Sequence, residues 1–151
     1  MTRSTSTSDD NHPDHPPDVR RDTSIQDFLD QLGRALTSGD GSAAAGLWAA
    51  PALVIGDDME RAIASVDELV AWFGGAKAQY NARGIVETRA EIVRLTWPTE
   101  RMAIVEVRWP YFDAHGDEIG DETSTYTLRR DDAGALKLRV AVMHGESRHL
   151  H

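Results

Sequence analysis

The chain has 151 residues, 40% of them hydrophobic and 27% charged, with a formal net charge of -9 at pH 7 and no cysteine. That length suits a single domain with one sizeable core. The acidic balance disfavours nucleic acid and anionic membranes, which reward clustered Lys and Arg, and the lack of cysteine excludes disulfides, thiolate metal sites and a Cys nucleophile.

Residues 1–22, MTRSTSTSDDNHPDHPPDVRRD, hold one Val and, apart from Met1, no other strongly apolar side chain. They lack the apolar run of roughly 7–15 residues that a secretory signal needs. No run in the chain approaches the roughly 20 residues of a membrane helix. The segment is expected to be a disordered polar tail, and a cytoplasmic location is the default expectation. The ordered domain is expected over 23–146, with 147–151 a C-terminal tail.

From Thr23, TSIQDFLDQLGRALTSGD carries Ile25, Phe28, Leu29, Leu32 and Leu36 at helical spacing. Thr23 with Gln26 reads as a capping box, and Gly39 as the stop. A short second helix is predicted over Ser42 to Trp48, ended by Pro51, whose ring disfavours helix in the residue before it. Ala52 to Ile55 reads as a brief buried strand entering the turn Gly56-Asp57-Asp58, and ERAIA as a second short strand. Ser65 and Glu68 repeat the capping-box pattern. The long helix after them has Val66, Leu69, Val70, Phe73, Ala76 and Tyr80 on its apolar face, with Gly74-Gly75 weakening its middle and Gly84 closing it.

Beyond Gly84 the pattern is strand throughout. IVETRAEIVRLTW, RMAIVEVRWPYF, EIGDETSTYTLRR and ALKLRVAVMHG are separated by short turns, which is the pattern of an antiparallel meander. Strands of roughly 10–13 residues exceed the usual five or six, so the sheet must curl. Helices first and a curled sheet after them predict an α+β fold. Its cone-shaped, mostly antiparallel sheet has helices packed on the concave face and a pocket at the open end.

Ala103, Val105, Val107, Trp109 and Tyr111 share one parity, and Tyr126 and Leu128 share the matching one. These are expected to face the helices. Thr123, Thr125 and Thr127 then face outward, where a threonine-rich surface suits sheet packing, with Glu106 and Arg108 as cross-strand partners on that side. Asp113, Asp117, Glu118 and Asp121 crowd the bend, where solvation explains them.

This order of elements, with LTSGDGSAAAGLWAAPALVIGDD in the first half and YTLRRDDAGALKLRVAVMHG at the end, resembles the NTF2-like superfamily. SGD before the short helix and the strand ending LRRDDAG resemble its SnoaL-like members. The resemblance spans about Thr23 to Glu146. It implies the curled-sheet fold, and a superfamily of isomerases, dehydratases, cyclases, epoxide hydrolases and non-catalytic members, so it names no activity. Ketosteroid-isomerase-like relatives imply a general-base Asp soon after the first short strand, where this chain has Gly56 followed by Asp57 and Asp58. They also imply a Tyr donor on the first helix, here Leu32, and a second donor on the penultimate strand, near Tyr126. The Asp-Arg-Asp set of limonene epoxide hydrolases has its nearest imitation in Arg108 with Glu106 or Glu122.

Three candidate proton handlers follow. They are Asp57, Tyr126, whose buried hydroxyl can polarise a carbonyl, and His144 at the end of the last apolar strand. Trp48, Trp72, Phe73, Tyr80, Trp109 and Tyr111 are the expected lining of a pocket for a small, largely apolar molecule, the alternative being that they are plain core. No cofactor or metal is assigned. His149 and His151 form a His-x-His end with no carboxylate at firm spacing, and His115 lies in a turn. Two functional classes stay open. One is a homodimer, joined through its outer sheet face, that holds an apolar ligand and performs cofactor-free chemistry of the isomerase, dehydratase or cyclase type. The other is a non-enzymatic association module acting through dimerisation.

Overall fold

The computed structural model describes residues 19–146, with side chains for 23–145. In chain order these form helices α1 (Val19–Ser38) and α2 (Gly41–Gly46), strands β1 (Trp48–Gly56) and β2 (Met59–Ile63), and helices α3 (Val66–Phe73) and α4 (Ala76–Ala82). Strands β3 (Glu87–Thr88), β4 (Glu91–Thr96), β5 (Met102–Phe112), β6 (Glu118–Arg130) and β7 (Leu136–Glu146) follow. The strands make one curved, unclosed sheet in the order β2-β1-β7-β6-β5-β3, with β4 also paired to β5. Neighbours are antiparallel except β1 and β7, which run parallel. The register slips between Tyr111 and Phe112 on β5 and twice along β6, after Thr123 and after Thr127. Such bulges bend a strand and increase its twist, which is how strands this long curl.

Helix α1 starts at Val19, so residues 19–22 are helical and only 1–18 of the expected tail lie outside the described residues. Thr23 is inside the helix and caps nothing. Gln26 Nε2 instead donates to Asp30 Oδ1 at 2.9 Å and to the Ala90 carbonyl at 3.1 Å. Ile25, Phe28, Leu29 and Leu32 are buried, as their spacing predicts. Gly33 lies on the same face. A Cβ there would come within 3.2 Å of the Trp109 ring, so the missing side chain lets α1 approach the sheet this closely.

Helix α2 is capped by Asp40, whose carboxylate accepts from the Ala43 N–H at 2.9 Å. It ends at Gly46, and β1 begins at Trp48 and runs through Pro51. The β1–β7 register slips between Trp48 and Leu53. That irregularity accommodates a proline, which has no N–H for the ladder, so Pro51 sits in a strand rather than ending a helix. The expected long helix is two helices, parted at Gly74-Gly75. Ser65 Oγ accepts from the Glu68 N–H at 3.3 Å while Glu68 Oε1 accepts from the Ala64 N–H at 2.9 Å, a reciprocal cap displaced by one residue. Val66, in the first turn, is exposed.

The parity of β5 and β6 holds: Val105, Val107, Trp109, Tyr111, Tyr126 and Leu128 are buried. On the other face Arg108 binds three carboxylates. Its Nε reaches Asp121 Oδ2 at 2.7 Å, Nη1 reaches Glu91 Oε1 at 2.8 Å, and Nη2 pairs with Glu118. Glu106 lies opposite Arg94 and Arg108 opposite Glu91 in the β4–β5 register, so both have partners across the strand pair. The acids of the bend are not merely solvated. The Asp121 side chain is only 5% exposed. Asp113 Oδ1 accepts from the N–H groups of His115 at 2.9 Å and Asp117 at 3.0 Å. These backbone bonds, Asp117's first, hold the Asp113 carboxyl below its ordinary value.

Removing one partner of a buried ion pair leaves a charge without compensation. Arg108→Gln is therefore expected to lower the unfolding free energy by about 3 kcal/mol, read from urea unfolding curves. A variant as stable as the parent would show that the cluster contributes only surface-pair energy.

Candidate functional site

A cavity of about 260 Å³ opens between the helices and the concave face of the sheet. Leu32 and Leu36 come from α1, and Trp72 and Phe73 from α3. Ala76, Gln79, Tyr80 and Arg83 share one side of α4 and its C-cap, because residues three and four apart are neighbours on a helix. The sheet contributes Trp48, Val54, Trp109, Tyr111, Tyr126, Ala141 and Met143, with Thr88, Glu122 and Ser124 as its polar members. Met59, Gln79 and Arg83 also line it and are exposed, so they mark its open end.

The polar wall follows from strand register. Glu122 stands opposite Trp109, Ser124 opposite Val107 and Tyr126 opposite Val105, and paired residues share a face. Trp109 Nε1 donates to the Tyr126 hydroxyl oxygen at 2.9 Å in a buried bond. The Tyr111 hydroxyl donates to Glu122 Oε1. The Tyr80 and Tyr111 rings lie 5.8 Å apart, and the Arg83 guanidinium sits over Tyr111, 5.4 Å from its centroid. Burial and then the charge of Glu122 push the Tyr80 phenol up to about 12, against the pull of Arg83. Tyr111 and Tyr126 also shift upward, burial first. Burial thus keeps three phenols protonated beside Glu122 in the cavity. Such a set can accept a proton at Glu122 and stabilise negative charge developing beside a hydroxyl.

Trp48, Trp72, Phe73, Tyr80, Trp109 and Tyr111 all lie on the cavity wall. Tyr126 lines it too, but the other two expected proton handlers do not join it. Asp57 is exposed in the two-residue turn of the β1–β2 hairpin, which Gly56 and Met59 close. His144 is exposed, with Nε2 at 2.7 Å from Thr125 Oγ1. Alternation along β7 turns Ala141 and Met143 toward the cavity and His144 away from it. Arg108 and Glu122 likewise part to opposite faces, so no Asp-Arg-Asp-like set forms in the cavity. Ser124, Thr88, Gln79 and Arg83 went unassigned in the sequence, and Glu122 entered it only as a partner for Arg108. The parity that marks Tyr126 and Leu128, carried back along β6, reaches Ser124 and Glu122. Arg83 lies three residues beyond Tyr80. His115 is exposed in its turn, and His149 and His151 fall outside the described residues. Among those residues no group of three or more His, Asp or Glu is placed to hold a metal ion. No helix among them is long and apolar enough to cross a membrane.

A family described as NTF2-like protein (DUF6841) matches residues 21–146. The chain belongs to this NTF2-like family. No curated protein matches it. Among solved structures, a domain of unknown function with a cystatin-like fold from Nostoc punctiforme superposes with a TM-score of 0.67 at 14% identity, covering 87% of this chain and 81% of that one. An NTF-2 like protein of unknown function from Shewanella oneidensis gives 0.64 at 17% identity, covering 82% and 98%. A ketosteroid isomerase-like protein from Erwinia carotovora atroseptica gives 0.60 at 14%, covering 83% and 96%. Likeness at these identities establishes the NTF2-like fold and no more. Within that fold, Leu32 on α1 lines the cavity without a donor to offer, whereas Tyr126 brings a hydroxyl.

A phenol whose pKa is higher in the folded than in the unfolded chain stabilises the fold fully below its ordinary value of 10.0. That contribution is lost as pH rises through about 12. The unfolding free energy should thus fall across this interval, and less steeply in Tyr80→Phe. Denaturant curves along the alkaline series check this, and a Tyr80→Phe profile parallel to the parent's would contradict it.

Proposed function

We propose that this NTF2-like chain holds a small, largely apolar molecule in its cone and carries out cofactor-free acid–base chemistry on it, of the isomerase, dehydratase or cyclase type. Glu122 takes the role of proton acceptor, and Tyr126 and Tyr80 supply hydroxyls to the developing charge. One observation carries the reading: an open, aromatic-lined cavity of about 260 Å³ has, among the described residues, a single carboxylate on its wall, bonded to a protonated phenol. A sheet built only for association gains by filling its concave side with side chains. A carboxylate there costs desolvation that an apolar residue avoids.

Binding and chemistry are tested separately. 2-Naphthol, a neutral bicyclic probe, should bind saturably by calorimetry, and Ala76→Trp at the open end should abolish uptake with the circular dichroism spectrum unchanged. No binding by the parent protein sinks the reading. For the chemistry, 2-tetralone in heavy water should exchange its acidic C–H protons faster with the protein than in buffer. Glu122→Gln should slow that step by about 100-fold or more. Exchange no faster than in buffer removes the catalytic half and leaves a binding cone.

We also infer a homodimer through the outer sheet face. Leu53, Val140, Thr127 and Ile104 form one row across β1, β7, β6 and β5, and Ile55, Val142 and Thr125 form the next. Ile104 and Val142 are each 38% exposed. Two such rows meeting across a two-fold axis would bury that apolar surface. The alternative reading, a non-enzymatic association module, rests on this face alone. Light scattering should give twice the chain mass for the parent and the single mass for Val142→Glu. A monomeric parent at micromolar concentration would rule the interface out.

A further inference from the structure

The charged groups of the cavity differ in depth and sign. Among the described residues that line it, Arg83 is the one cation and Glu122 the one anion. Arg83 is exposed at the open end beside Gln79, four residues earlier on the same side of the helix, whereas Glu122 is half-buried on the sheet wall. The guanidinium lies over the Tyr111 ring, 5.4 Å from its centroid. Stacking engages the plane of a guanidinium, while carboxylates are recognised by its N–H edge, so the ring orients the group without competing for that edge. The lining also includes the rings of Trp48, Phe73 and Trp109, which are buried and offer apolar contact.

An anionic ligand therefore meets attraction at the rim and repulsion deeper in, and the two together set its direction. Resting on the reading of the cone as a small-molecule site, we infer that the ligand is a small apolar carboxylic acid bound as its anion. Its carboxylate sits on Arg83 and Gln79 at the open end, and its apolar body points inward. The reverse placement sets the carboxylate against Glu122 in a partly desolvated wall, where like charges repel most strongly. The chain's formal net charge of -9 opposes the approach of any anion. That repulsion comes from dispersed surface charges and is screened beyond about 10 Å in 0.1 M salt. The contact with the guanidinium is local and charge-assisted, and it dominates.

Three probes of one shape decide the matter by calorimetry at neutral pH: 2-naphthoate, neutral 2-naphthol and the ammonium of 2-(aminomethyl)naphthalene. The parent protein should bind naphthoate about tenfold more tightly than naphthol, the size expected of a charge-assisted bond at a solvated rim. Arg83→Gln should erase that advantage, weakening naphthoate binding about tenfold more than naphthol binding, and Arg83→Lys should restore part of it. Arg61, whose guanidinium sits over Trp72 at 4.9 Å but outside the lining, is the control for diffuse charge. Arg61→Gln should leave the advantage intact, and an equal loss there overturns the assignment. A preference for the ammonium also overturns it, as does equal binding of all three, although either result leaves the cone a binding site. If no probe binds, the assignment falls together with the reading it rests on. The ranking on the parent protein decides even if Arg83→Gln does not fold.

Discussion

Trp109 stands opposite Glu122 in the β5–β6 pair, and Val105 opposite Tyr126. The two faces of the sheet take their chemistry from that register, because side chains alternate with a period of two. A slip of one residue would set Arg108 against Glu122 and turn the threonine row into the cone. The slip is resisted along β5 and β6, of 11 and 13 residues, because it would turn the buried Val105, Val107 and Trp109, or Tyr126 and Leu128, out of the core and bring Glu106 and Arg108, or the threonines, into it. The same alternation divides the charges: Arg108 gathers Glu91, Glu118 and Asp121 outside, while Glu122 remains inside with Tyr111.

The helices turn that face into a site. Helix α1 comes down on Trp109 at Gly33, close enough that a Cβ would crowd the ring. The break at Gly74-Gly75 makes α4 a separate element, and its one side supplies Ala76, Gln79, Tyr80 and Arg83 to the cavity. Packing of this kind removes the tyrosines from water, and desolvation is the first cause of the upward shift at Tyr80, Tyr111 and Tyr126. The site is thus a consequence of burial, not of a dedicated motif. Among the described residues, phenols that stay protonated, one carboxylate and one rim guanidinium are what the cavity offers a ligand.

Local signals carried well where the physics was local. The apolar spacing of Ile25, Phe28, Leu29 and Leu32 was legible because a helix face is read from neighbours in sequence. The strand parities were legible for the same reason. Trp109 and Tyr111 followed from parity and Phe73 and Tyr80 from a helix face, whereas Trp48 begins β1 and not a helix end. Element ends were less legible: α1 absorbs Thr23, and Pro51 lies inside β1 at a register slip made by a strand far away in sequence. Asp57 and His144 looked apt by residue type, yet a hairpin tip and an outward strand position keep them from Tyr126.

The order of helices and long strands, the absence of cysteine chemistry and the sorting of strand residues into two faces were determined by the sequence itself. All of these depend on composition or on short periods. Which polar groups share one space was decided only in three dimensions. Glu122, Arg83 and Tyr126 come from β6, the end of α4 and β6 again, and only pairing and packing bring such separated positions to one cavity. Periodicity states which way a side chain points, but not what stands opposite it.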